Sequence, residues 1–133
     1  MKNIRLKGYD YSTDGYYFIT ICSQYQLKFT ENEKQIIGSE IHNLKNIVGV
    51  GIDYNVVMDT HIHLIIVLNN CALGLGEIVR RLKAKSSRLA NRKLWQPNYY
   101  EHVIRNERAL YKIREYVQNN PLNKKIQFGE FYK

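Results

Sequence analysis

The sequence predicts an α+β fold with a mainly antiparallel sheet and helices packed against it, in the order β-α-β-β-α-β-α. Three observations carry this. Short aromatic and β-branched runs occur at four places. Apolar residues recur at helical spacing in three segments between or after them. Two of the extended runs are separated only by Asp59-Thr60, a connection short enough to demand an antiparallel hairpin.

Each element has its own signal. Tyr16-Tyr17-Phe18-Ile19-Thr20-Ile21-Cys22 reads as the first strand. Ile36, Ile37, Ile41, Leu44 and Val48 follow helical spacing, so a helix is expected over residues 33–47, capped by Thr30 or Asn32 and stopped before Gly49. The hairpin strands span about residues 51–58 and 61–69. Gly74 and Gly76 break the chain, and a helix follows over about residues 75–93, with Ile78, Val79, Leu82 and Leu89 expected inward and most basic residues outward. Residues 99–104 are short, aromatic and β-branched, hence a fourth strand. Leu110, Ile113 and Val117 form the stripe of a last helix over about residues 107–119, which Pro121 ends.

The 133 residues are expected to form one domain, 1–133, with neither repeats nor low-complexity tracts. Hydrophobic residues at 44% and charged residues at 24% are ordinary for a globular chain and exclude a disordered one. No apolar run reaches the roughly 18 residues of a membrane span. The stretch Met1–Asp10 lacks the apolar block of a signal peptide, so a cytoplasmic protein is expected. Cys22 and Cys71 offer neither a disulfide framework nor a zinc quartet and read as small buried hydrophobes.

Charge is distributed unevenly. Residues 1–66 hold six basic and seven acidic side chains, net −1, whereas residues 67–133 hold fourteen and five, net +9. Arg80, Arg81, Lys83, Lys85, Arg88, Arg92 and Lys93 lie within one stretch that contains no acid. A lopsided basic surface attracts polyanions, and these seven are the candidate nucleic-acid contacts, tracking phosphates along one helix. Trp95, Tyr99 and Tyr100 are candidates to stack on unpaired bases, with core packing the alternative for Trp95. Ser86 and Ser87 read as helix surface or as phosphate donors.

The chemistry centres on His61-Ile62-His63 at the start of an apolar strand. Strand side chains alternate, so both imidazoles share one face while Ile62, Leu64, Ile66 and Leu68 take the other. Histidines at i and i+2 are spaced to grip one metal ion, and a satisfied structural pair is the competing reading. On the last helix Tyr116 and Asn120 stand at i and i+4, at the rim of the buried stripe.

Three segments occur in order: 58–66 (MDTHIHLII), 94–105 (LWQPNYYEHVIR) and 116–121 (YVQNNP). Together they resemble the REP-associated tyrosine transposases, relatives of the insertion-sequence single-tyrosine transposases within the HUH nuclease superfamily. The resemblance runs from Tyr16 to Pro121. It implies a ferredoxin-like HUH nuclease fold with a sheet of four to five strands. It implies that His61 and His63 bind the metal, that Asn120 is the third ligand, and that Tyr116 is the catalytic nucleophile. Members commonly carry Pro-Asn before the first histidine; here Asp59-Thr60 stands there, which touches turn chemistry more than ligation. His102 matches a frequent family position, has no assigned role, and reads as a cross-strand or surface histidine.

The implied reaction needs Mg²⁺ or Mn²⁺ as Lewis acid on the scissile phosphate. A phenol, with an ordinary pKa of about 10, then attacks phosphorus and forms a 5′-phosphotyrosine link with a free 3′-OH. No nucleotide cofactor is required, in keeping with the absence of a Gly-Lys-Ser/Thr phosphate loop; Gly74-Leu75-Gly76 is too short for one. The implied partner is single-stranded DNA with hairpin repeats, bound by a monomer or homodimer, the dimer favoured, with no membrane partner. Two other readings stand beside it: a non-catalytic hairpin-binding domain of the same fold, and a small metal-dependent hydrolase using the His-x-His pair with water. The tail from Leu122 to Lys133 is expected to dock on the body or cover the active site.

Overall fold

A computed structural model describes residues 13–124 and 126–133 of the chain. The expected order of elements is present: β1 (Gly15–Cys22), α1 (Glu31–Asn43), β2 (Val50–Val57), β3 (His61–Leu68), α2 (Leu75–Ala90), β4 (Tyr100–Ile104) and α3 (Glu107–Asn119). Short 3₁₀ turns lie at Gln24–Gln26, Leu44–Asn46 and Phe128–Tyr132. The four strands form one sheet in the order β2-β3-β1-β4, and every neighbouring pair is antiparallel. The fold is α+β, and the described sheet is antiparallel throughout.

Two layers cover the sheet, and period-two alternation decides which residue faces which. Tyr17, Ile19 and Ile21 of β1 and Ile62, Leu64, Ile66 and Leu68 of β3 pack with Ile37 and Ile41 of α1 and Ile78, Val79 and Leu82 of α2. Phe18 of β1, Ile65 of β3 and Ile104 of β4 pack on the other side, with Ala109, Leu110, Ile113 and Val117 of α3 and with Phe131. The stripe expected on α3 is therefore its buried face. Burying each of these large side chains contributes about 1.5–3 kcal/mol.

Helix ends follow local chemistry. Thr30 caps α1: its hydroxyl accepts from Glu33 N, and the Glu33 carboxylate accepts from Thr30 N, a reciprocal box that starts the helix two residues before the expected position. The α-helix stops at Asn43 and tightens into the 3₁₀ turn, so the expected end near residue 47 merges two elements. Gly49 then needs its φ of +89°, and a Cβ there would lie 2.7 Å from the Asn69 carbonyl oxygen.

Helix α2 ends at Ala90 rather than Lys93, because Asn91 takes a left-handed conformation (φ 57°) and turns its N–H back onto Ser87 and Arg88. Leu89, expected inward, is half exposed; it lines the shallow groove against Ile36 and Glu40 of α1 instead of reaching the sheet. Ser86 is fully buried and not helix surface. It donates to Leu82 O at 2.6 Å and accepts from the Trp95 indole N–H at 2.9 Å, which is the acceptor a buried indole needs. Trp95 and Tyr99 are likewise core residues and not stacking platforms. Cys22 is buried and Cys71 half-buried, both as free thiols. No helix among the described residues is long and apolar enough to cross a membrane.

Candidate functional site

His61 and His63 open β3, where the alternation puts both side chains on the α3 face, among the few polar groups there. Both are buried, at 2% and 0% exposure. Their rings lie 4.8 Å apart, and their Nε2 atoms converge on one oxygen, the Pro121 carbonyl, at 3.1 and 3.0 Å. A carbonyl only accepts, so in this arrangement both Nε2 atoms carry the hydrogen. Thr20, opposite His63 in the β1–β3 register, places its hydroxyl 2.8 Å from His63 Nδ1 and fixes the ring. His61 Nδ1 is buried with no hydrogen-bond partner among the described residues. Burial lowers the pKa of His61; it lowers that of His63 to about 4, helped by the neighbouring His61 charge. Both rings are neutral at pH 7, and a cation at the point where they converge would take the other tautomer, with Nε2 bare and the hydrogen on Nδ1.

Helix α3 supplies the rest. Asn106 caps it by accepting from Ala109 N at 2.8 Å, and Arg114 anchors it to the β2 bulge through an ion pair with Asp53. Tyr116 is half-buried; its ring meets Phe131 edge-on at 5.4 Å, and its hydroxyl accepts from the Asn123 side-chain amide at 2.7 Å. The backbone of Asn123 is also hydrogen-bonded to His63. The turn after α3 therefore links the tyrosine to the histidine pair: Pro121 and Asn123 touch the imidazoles, and Asn123 holds the phenol. Asn120 is exposed at the C-cap of the helix, with a non-helical φ of −135°, and its backbone N–H still makes the i to i−4 bond to Tyr116 O at 2.9 Å. Its Nδ2 donates to Tyr116 O at 3.0 Å.

These donors fit a divalent cation in part. Two neutral imidazoles aim Nε2 at a common point where an oxygen already sits, and one is braced from behind by Thr20, as metal-bound histidines usually are. Among the described residues no third His, Cys, Asp or Glu joins them. Pro121 O is the oxygen at the pair, whereas the exposed Asn120 amide is bonded to Tyr116 O.

The basic helix is elsewhere. Helix α2 packs on the opposite face of the sheet, and five of the seven cations of this stretch have hydrogen-bond or ion-pair partners. Arg80 and Arg81 both bond Glu77, Lys85 lies 3.4 Å from the buried Glu40, and Arg92 makes a bidentate pair with the buried Glu33. That pair holds the Glu33 carboxyl below the usual range. Lys83 donates to the carbonyls of Gln96, Pro97 and Asn98, and burial lowers its pKa to about 8. Arg88 and Lys93 have no ion-pair partner among the described residues. The segment after Lys93 returns to the histidine end of the sheet: Gln24 N donates to Leu94 O at 2.7 Å and Gln96 N to Cys22 O at 3.0 Å, and Cys22 pairs with His61.

Sequence reasoning missed Thr20, Asn123 and Lys124, which sits beside His61 and bonds Gln26. Thr20 had a signal, a lone hydroxyl in an otherwise apolar alternation. Asn123 and Lys124 lie past the helix, where no periodicity reports on position. His102 is not a surface histidine: it is stacked on Phe128 at 4.0 Å and bonded to Tyr132 at 2.7 Å, both from the docked tail.

The family described as "Transposase IS200 like" matches residues 11–120. A Haemophilus influenzae strain Rd protein, described as an uncharacterized protein, is 34% identical over an alignment of 165 positions covering 91% of this chain and 88% of its own. Among solved structures, a REP-associated tyrosine transposase bound to a REP hairpin superposes with a TM-score of 0.73 at 22% identity, covering 92% of this chain and 73% of that one. A second, from Deinococcus radiodurans R1, gives a TM-score of 0.52 at 20% identity and covers 90% and 97%.

Proposed function

This chain belongs to the IS200-like transposase family, and from that membership we propose that it is a metal-dependent transposase and endonuclease of single-stranded DNA. It cleaves and rejoins DNA next to hairpin repeats through a 5′-phosphotyrosine intermediate. The observation that carries this is the convergence of both imidazole Nε2 atoms on one point, with Tyr116 tied to the same turn through Asn123. The relative that shares the fold is bound to a REP hairpin, which supports hairpin-bearing DNA as the substrate class.

His61, His63 and Asn120 would hold Mg²⁺ or Mn²⁺. The ion supplies Lewis acidity at the scissile phosphate. Tyr116 Oη forms the new bond to phosphorus as the bond from phosphorus to the 3′-oxygen breaks. The phenol gives up its proton and the departing 3′-oxygen acquires one. Asn123 Nδ2 aims an N–H at Oη, so it orients the hydroxyl lone pair and favours the phenolate. The phosphodiester bond energy is kept in the tyrosine ester, so attack by a 3′-OH rejoins strands without a nucleotide cofactor. Arg88 of α2 and Lys93 just after it are the cations without an ion-pair partner among the described residues, free to meet phosphates, with the exposed Arg80 and Arg81 beside them.

The test mixes the protein with labelled hairpin-bearing single-stranded DNA and Mn²⁺ or Mg²⁺ and looks for an adduct that survives denaturation. Wild type is expected to form one that needs metal and disappears in Tyr116→Phe. Cleavage that persists in Tyr116→Phe would establish water as nucleophile and a hydrolase. Tight binding without adduct or cleavage would establish a hairpin-binding module.

A further inference from the structure

Thr20 belongs to two structures at once. Its hydroxyl braces His63, and its side chain also lines a cavity of about 290 Å³ on the α3 face. Phe18, Tyr100, His102 and Phe128 bring four flat rings to this cavity, and Lys124 brings an ammonium. The rings are set by contacts outside the proposed reaction. Phe128 packs against Phe18 at 5.2 Å and stacks on His102 with the planes 8° apart. His102 is in turn fixed by the Tyr132 hydroxyl, which also accepts from Arg105 N at 3.1 Å. Burial, with the Arg105 charge second, lowers the His102 pKa to about 4, so at neutral pH it is one more uncharged ring. Among the described residues the side-chain partner of Lys124 is the neutral Gln26 amide; Glu101 also lines the cavity but stands opposite Ile19, in the pleat row that faces α1 and α2.

The lining selects the ligand. Flat uncharged rings favour a flat aromatic group, held by stacking or by edge contacts. The volume is at the low end of the range for ligand pockets, about 300–1,000 Å³, so it suits one ring system and not a dinucleotide. Lys124 favours an anion attached to that ring system. A flat ring bearing an anion is the chemistry of a nucleotide, and the shared Thr20 places this one directly beside the histidine pair.

We propose that the cavity is a subsite for one unpaired nucleobase of the DNA strand, with its phosphate at Lys124, adjoining the phosphate handled at His61 and His63. This rests on the single-stranded DNA reading above and adds to it a base contact made by protein. Tyr100, His102 and Phe128 are its walls, Thr20 the wall it shares with the site.

The first arm of the test is NMR titration of the isotope-labelled full chain with dAMP, dGMP, dCMP and dTMP, and with deoxyribose 5-phosphate. At least one nucleotide is expected to give saturable shifts at Tyr100, His102 and Phe128, with affinity at least about 5-fold above that of deoxyribose 5-phosphate. Tyr100→Ala, and independently Ile126→Trp, which fills the cavity, should each abolish that preference. Equal binding of deoxyribose 5-phosphate, or shifts that ignore a folded variant of either kind, would overturn the proposal.

The second arm places abasic nucleotides one at a time in the single strand beside a hairpin and measures affinity. One position should weaken wild type about 10-fold and leave Tyr100→Ala unchanged. A flat scan alongside binding of free mononucleotides would mean a nucleotide pocket unrelated to the strand, and would overturn the subsite. The phosphotyrosine adduct is read separately. An adduct with a flat scan defeats only the subsite, whereas a base-dependent scan without adduct defeats only the strand-transfer reading.

Discussion

On the α1/α2 side of the sheet the inward strand positions are Ile19, Ile21, Ile62, Leu64 and Ile66; on the α3 side the matching rows include Thr20, His61 and His63. The first side buries oil and arranges its carboxylates, Glu33 and Glu40, under the cations of α2. The second places two neutral imidazoles, a hydroxyl and a phenol around one turn of chain. The same alternation builds both. What differs is the residue type that the pleat delivers. On the first side the charges stabilise the packing of α2 on α1; on the second the polar groups face each other with capacity left for a ligand.

Substitutions and changes of condition sharpen that contrast. His63→Ala should lower adduct formation by about 10³-fold or more, with hairpin affinity changed less than about 3-fold, because a proposed metal ligand is lost and no phosphate contact is. Chelation of the metal should match it in the same adduct assay. Arg92→Ala, on the other side, should cost roughly 2 kcal/mol in denaturant unfolding, because it strands the buried Glu33 carboxylate, and should leave the chemistry per folded molecule intact. A loss of cleavage with unchanged stability would place Arg92 among the DNA contacts instead.

Acidification acts on the second side. The folded pKa of His102 is about 4 against about 6.5 in an unfolded chain. The unfolded state therefore binds the extra proton between those values. Its stabilising contribution is complete above pH 6.5 and is lost as pH falls toward 4. Because His102 is half-buried, the loss should be about 1–2 kcal/mol, read as a falling melting temperature that flattens in His102→Gln. Tyr132, Phe128 and Arg105 face this ring, and only Arg105 is charged. Thr20→Val should weaken metal binding by about 10-fold through loss of the brace on His63, measured by calorimetry. The smallest effect is expected from Arg88→Ala with Lys93→Ala: little change in stability, and a salt dependence of DNA affinity shallower by a slope of about 1–2.

Much of this was legible in the chain. The α3 stripe of Leu110, Ile113 and Val117 has clean helical spacing, and the element lies over the residues expected for it. The pairing of His61 with His63 on one face followed from their separation of two. The charge reading missed the acidic partners of this stretch for a definite reason. No acid lies between Arg80 and Lys93, but Glu77 is one turn before them, and Glu33 and Glu40 come from α1, far off in sequence and adjacent in space. Leu89 and Ser86 exchanged their expected places because α2 meets α1 as well as the sheet, and because Trp95 needed an acceptor.

By itself, the sequence determined what depends on short separations: element type and order, the Thr30 cap as one of two candidates, the face shared by the two histidines, and through three ordered segments the family. The tertiary structure alone decided what depends on long ones. It put the basic helix across the sheet from the histidines, set three carboxylates against its cations, and drew the turn at Pro121–Asn123 onto the imidazoles and the phenol. It also closed the tail over His102 to wall a cavity beside them. Backbone geometry sets the first group residue by residue, whereas the second arises only when burial brings distant segments to a common surface and each buried polar group must find a partner there.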